Sequence, residues 1–187
     1  MKKALLYSGG VESTLLYYTL LKKAKENNYI LSLFIVDRYN NPVGRAMTLY
    51  NMLRTKFDDE LSTCQHLNVP GELNNTERMM YTVRELSNVY DRIYWGVNAY
   101  PPHIRPKQDQ FKNLQRKLER YPQLRLPYIE HTKDWVIQEY LKYNIDWILP
   151  YTHSCGEPVD EPCGECFNCK ERAWAYQKLD LDLEKGI

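Results

Sequence analysis

Apolar residues fall in two alternating patterns along the chain. Residues 3–7 and 30–36 are short runs, and 30–36 is apolar except at Ser32. Both are too short for helices and suit parallel strands buried on both faces. Leucines and tyrosines then recur at helical spacing, which predicts a helix over residues 12–25, with further helices over 43–57 and 76–89. Strands are predicted at 62–69 and 92–97. The order strand, helix, strand, helix, strand, helix, strand argues for an α/β sheet with right-handed crossovers. Beyond it, prolines mark 99–106 as a loop. Residues 108–120 read as a charged helix, 124–129 as an edge strand, 132–143 as a helix and 167–179 as the closing helix. With no repeat, low-complexity tract or linker, residues 1–187 are expected to form one domain carrying a small appendage at 153–172.

Composition narrows the class. With 25 Lys and Arg against 24 Asp and Glu, the net charge is +1, so no overall field draws the chain to nucleic acid or a membrane surface. Nucleic acid is therefore not expected as a direct substrate. A hydrophobic fraction of 43% with 26% charged residues is ordinary for a soluble domain. The N-terminal apolar run is broken by Ser8, Gly9, Gly10 and Glu12, so it is neither a signal peptide nor a membrane span. A cytoplasmic location is expected. The 16 tyrosines follow no period and read as packing.

The first strand ends in Ser8-Gly9-Gly10-Val11-Glu12-Ser13-Thr14, which opens the first helix. Two glycines let backbone amides approach an anion, and the helix N-terminus adds unpaired N–H groups. Ser8, Ser13 and Thr14 add hydroxyls around the same point. This composition suits a pyrophosphate; a plain β–α turn would be the alternative. No Gly-Lys-Ser/Thr follows, so it is not a Walker A loop, and the third glycine of a dinucleotide fingerprint is missing.

Four of the five cysteines crowd into Cys155, Cys163, Cys166 and Cys169. Clustered C-x-x-C spacing without a signal sequence points to metal in a reducing compartment rather than to disulfides. Four thiolates suit tetrahedral Zn²⁺ with no open position, hence a structural ion; an iron–sulfur cluster is the rival. His153 is expected beside the site rather than in it. Cys64, isolated, reads as a small buried apolar residue.

The glycine loop resembles the SGGxDS/T motif of PP-loop N-type ATP pyrophosphatases. The segment from His153 through Cys163-Gly-Glu-Cys-Phe-Asn-Cys to Arg172 is similar to the C-terminal zinc segment of the 7-cyano-7-deazaguanine synthase family. Gly96-Val97-Asn98-Ala99, Arg105-Pro106 with Phe111, Leu126-Pro127-Tyr128-Ile129 with Thr132-Lys133, and Asn75-Thr76 resemble further segments of that family. Glu12 stands where the family carries aspartate, and Asn74 where it carries arginine. The chain is shorter than typical members, as a trimmed, divergent or viral version would be, the last acting in the host cytoplasm.

The resemblance implies a Rossmann-like, adenine nucleotide alpha hydrolase-like fold with a mainly parallel sheet and a C-terminal zinc knuckle. It implies ATP-dependent conversion of 7-carboxy-7-deazaguanine and ammonia to 7-cyano-7-deazaguanine through adenylated intermediates. Ser8, Gly9, Gly10, Glu12, Ser13 and Thr14 would bind ATP with Mg²⁺. Lys133 and Glu12 would be catalytic, and Asn98, Arg105 and Thr132 would bind substrate. An enzyme stopping at the amide, or acting on another carboxylate, is one alternative. A catalytically degenerate zinc-containing module that binds nucleotide or nucleic acid is another. Without the resemblance, Lys133 reads as a solvated lysine behind a Thr132 N-cap. A lysine at a helix start opposes the macrodipole, which a nearby anion would explain. A homodimer is left open.

Overall fold

The computed structural model describes residues 1–36, 43–71, 73–101, 103, 116–157 and 161–181. Arg105, Pro106, Phe111 and most of the predicted 108–120 helix lie outside the described residues; 116–120 is helical. Strands β1 (Lys3–Tyr7), β2 (Leu31–Val36), β3 (Ser62–Leu67), β4 (Arg92–Trp95) and β5 (Leu124–Arg125) form one sheet in the order β3-β2-β1-β4-β5. Every pairing is parallel, with Lys3 opposite both Leu31 and Arg92. The sheet is Rossmann-like, as the sequence predicts.

Apolar residues stand at successive positions of β1 and β2 because both faces are covered. Leu5, Tyr7, Leu31, Leu33 and Ile35 enter one core. Ala4, Leu6, Phe34 and Val36 enter the other. Helices α1 (Val11–Asn27), α2 (Val43–Lys56), α4 (Lys133–Lys142) and α5 (Phe167–Lys178) pack on the first face. Helix α3 (Asn75–Leu86) packs on the second through Met79, Val83 and Leu86. The crossovers through α1 and α2 run outward from β1 to β3, whereas α3 carries the chain back to β4 on the other side of β1. Neighbouring crossovers therefore part between β1 and β4, and the crevice of an open α/β sheet lies there, at the strand carboxyl ends.

Two sequence expectations change. The run at 124–129 yields a two-residue strand, because Pro127 brings no N–H to a ladder. Asn74 proves to be the N-cap of α3: its side chain accepts from the amides of Thr76 and Glu77, and Glu77 closes the capping box at 2.8 Å. Among the described residues, no helix is long and apolar enough to cross a membrane.

Candidate functional site

The turn after β1 sits at the switch point. Gly9 has φ +71°, and a Cβ there would lie 3.1 Å from the Ala46 Cα, so only glycine fits both the conformation and the approach of α2. Gly10 caps α1 without a side-chain bond, leaving the first-turn amides of α1 without a capping side chain. Ser13 braces the turn: its Oγ accepts from the Ser8 amide at 3.2 Å and donates to the Gly10 carbonyl at 3.2 Å. Ser8 Oγ lies 3.1 Å from Ser13 Oγ. Thr14 is buried and turned away, donating to the Tyr7 hydroxyl at 3.5 Å. It does not join the cleft.

On the other side of the switch point, Gly96 follows β4 against the first turn of α1. A Cβ there would lie 2.9 Å from the Ser13 amide nitrogen and from the Glu12 Cβ. Any side chain at 96 would push the two halves of the crevice apart. The Ala99 amide donates to the His131 carbonyl at 2.8 Å, which ties the loop after β4 to the start of α4. That bond brings Asn98 and Lys133 into one cavity of about 240 Å³, with Ser8, Gly10 and Glu12 on its wall.

Lys133 is the centre of the cavity's charge. Its side chain is 3% exposed, with Nζ 2.8 Å from Glu12 Oε1 and 3.0 Å from Glu171 Oε2. Burial pulls the ammonium down, and the Glu12 and Glu171 carboxylates more than offset it, so Lys133 stays above its ordinary value. Glu171 in turn accepts from Asn98 Nδ2 at 2.6 Å. Burial raises the Glu171 carboxyl despite Lys133, and Glu12 raises it further. The expectation of a solvated lysine is thus overturned. Thr132 occupies the N-cap position, but its hydroxyl donates to Asp134 rather than to the helix amides. It does not line the cavity, and Arg105 lies outside the described residues.

The cysteine segment closes the cavity. The His153 amide donates to the Gly9 carbonyl at 3.0 Å. Arg172 donates to the carbonyls of Thr152 (2.9 Å) and Leu149 (2.7 Å). His153 faces Arg45 at 2.9 Å and not the thiols; burial, then the charges of Arg45 and Arg172, pull it below its ordinary value. The four Sγ atoms of Cys155, Cys163, Cys166 and Cys169 lie within 4.8 Å of one another. The pairs Cys155–Cys166 and Cys163–Cys169 are 3.9 and 4.0 Å apart. A tetrahedron with Zn–S bonds of about 2.3 Å has edges of about 3.8 Å, so the thiols fit that ion. Gly164, at φ +73°, makes the tight turn between them. Cys64 is half-buried on β3, where burial pushes its thiol up to about 12.

Glu171 is the site residue that the sequence reading missed. Local spacing gives it no signal beyond an acid sharing a helical stripe with buried Ala175 (i, i+4). Its partners lie 38 and 73 positions away along the chain.

No protein-family model matches the chain. It is 22% identical to the 7-cyano-7-deazaguanine synthase of Caldicellulosiruptor saccharolyticus, over 97% of this chain and 93% of the relative. It is 30% identical to the 7-cyano-7-deazaguanine synthase of Hahella chejuensis, over 94% of this chain and 88% of that one. A solved structure of a U34-tRNA thiolase from Methanococcus maripaludis superposes with a TM-score of 0.56 at 14% identity, over 96% of this chain and 65% of the other, a likeness of fold alone. Near-full-length similarity, a glycine loop at one end and a four-cysteine cluster at the other place the chain in the 7-cyano-7-deazaguanine synthase family.

Proposed function

We propose that the chain is a cytoplasmic, single-domain ATP-dependent ligase that converts 7-carboxy-7-deazaguanine and ammonia to 7-cyano-7-deazaguanine. The observation that carries this reading is the meeting of the glycine loop, Asn98 and buried Lys133 in one cavity at the sheet's switch point.

The substrate carboxylate attacks the α-phosphate of ATP, and the bond to the β-phosphate breaks. Pyrophosphate leaves against the amides at Gly9, Gly10 and the start of α1, where the helix N-terminus favours an anion. The Lys133 ammonium neutralises charge on the transferring phosphoryl group from a fixed, water-poor position. Asn98 and Glu171 hold that position. Ammonia then adds to the acyl carbon and AMP departs, giving the amide. A second ATP transfers AMP to the amide oxygen and releases pyrophosphate, and loss of AMP and of both N–H protons leaves the nitrile. Glu12 would hold the Mg²⁺ that arrives with ATP, and the ion supplies further charge neutralisation.

Pyrophosphate release measured with and without 7-carboxy-7-deazaguanine tests the reading. Release that requires the substrate, with AMP formed in step, is expected. Nucleotide binding with no release under any condition would instead describe a degenerate binding module.

The cysteine cluster holds one structural zinc per chain in this reading, within residues 153–172. Elemental analysis should find one zinc, and iron or a metal-free folded chain would contradict it. Cys166→Ser is expected to lower the melting temperature by more than it lowers turnover per folded molecule, because four thiolates leave the ion no open position for chemistry.

A further inference from the structure

Beyond Lys133 and the glycine loop, the cavity has a second wall, built by the cysteine segment itself. Ser154 and Gly156 flank Cys155, and Phe167 and Asn168 lie between Cys166 and Cys169; all four line the cavity. Two of these side chains carry unused polar capacity. Ser154 Oγ is buried and has no hydrogen-bond partner among the described residues, an arrangement that is costly unless a ligand fills it. The Asn168 amide likewise makes no hydrogen bond among the described residues. A Cβ at position 156 would stand 3.3 Å from Asn168 Nδ2, so Gly156 keeps that amide's space open. Beside them, Phe167 meets Tyr100 edge to face, with centroids 4.7 Å apart, forming an aromatic wall.

The backbone that carries both polar side chains is fixed. The chain at 153 is bonded to Gly9, and 155 belongs to the thiol cluster; Asn168 sits in the first turn of α5, whose N-cap is Cys166. A planar amide offers a donor and an acceptor side by side, which matches a ring edge with adjacent N–H and C=O groups. The volume of about 240 Å³ lies below the roughly 300–1,000 Å³ of pockets for drug-sized ligands. It has room for one flat ring system.

We propose that this wall, through Ser154 and Asn168 beside the Phe167 ring, selects the substrate's flat lactam-type nitrogen heterocycle. The metal knuckle is then a specificity element as well as a brace. A ring held there presents its carboxylate across the cavity to Lys133. The inference rests on the proposed function for the identity of the ring, and on the geometry alone for the ring class.

The test is calorimetric titration of the zinc-loaded full chain with 7-carboxy-7-deazaguanine and, separately, with ATP. Asn168→Leu and Ser154→Ala, checked for zinc content, are each expected to weaken 7-carboxy-7-deazaguanine at least about tenfold while ATP affinity holds. If Asn168→Leu fails to load zinc, Ser154→Ala decides. Wild-type chain should also prefer 7-deazaguanine to 7-deazaadenine, and Asn168→Leu should lose the preference. Unchanged affinities overturn the inference, as does a loss confined to ATP, which would make the wall an adenine site. If wild type ignores 7-carboxy-7-deazaguanine, the proposed function falls, and guanine and 7-deazaguanine decide the inference. Binding of either that Asn168→Leu abolishes sustains it; binding of neither overturns it too.

Discussion

Lys133→Met is expected to lower adenylation by about 10²–10³-fold, the usual loss when one preorganised donor leaves a site, and to destabilise the chain at the same time. Methionine preserves much of the stem's packing, so the change isolates the charge. With the ammonium gone, Glu12 and Glu171 are left as buried carboxylates without their shared partner. Breaking a buried pair from one side typically costs about 3–5 kcal/mol. Adding Glu171→Gln removes one of the two stranded charges. The double variant should therefore recover stability in denaturant unfolding without recovering turnover. A solvated lysine predicts neither effect, only a few tenths of a kcal/mol. Because the carboxylates hold Lys133 above its ordinary value, it remains an ammonium through any neutral assay, and a rate change with pH there reports another group. Turnover at the wild-type level in Lys133→Met would remove it from the mechanism.

The second large effect is expected at Gly9. Valine there must adopt φ near +71° and place its Cβ 3.1 Å from the Ala46 backbone. A β-branched residue resists that conformation, and its methyls fill the space beside the turn. Calorimetry should find ATP binding abolished in Gly9→Val. Gly71→Ala provides the control, since an added Cβ at 71 meets nothing within 4 Å. Equal ATP affinity in both variants would reduce the glycine turn to a corner between β1 and α1.

What the sequence disclosed depended on how local the signal was. The glycine turn and the cysteine cluster are each written within a short consecutive stretch, residues 8–14 and 155–169, and the structure brings each together. Lys133 stood out because a lysine at a helix start is electrostatically misplaced, and its two carboxylates supply the reason. Hydroxyl directions were less legible. Ser13 uses its hydroxyl inside the turn, on the Ser8 amide and the Gly10 carbonyl, and Thr14, about 100° further round the helix, meets Tyr7, so neither lines the cleft. Thr132 holds the N-cap position, yet the neighbouring Asp134 captures its hydroxyl. Glu171 had only its place on the buried stripe of α5 as a local sign, since its role is set by elements that meet only in the folded chain. Glu12 gains a reason for its length from the structure. Aspartate would withdraw the carboxylate by about 1.5 Å, one methylene, from a contact now at 2.8 Å.

The central claim is tested most directly by incubating the zinc-loaded chain with 7-carboxy-7-deazaguanine, ATP, Mg²⁺ and ammonium and weighing the product by mass spectrometry. The account predicts 7-cyano-7-deazaguanine, with AMP and pyrophosphate formed alongside it and neither product formed when ATP is withheld. Accumulation of the amide as end product would contradict the nitrile-forming step, and unchanged carboxylate with intact ATP would contradict the ligase assignment itself.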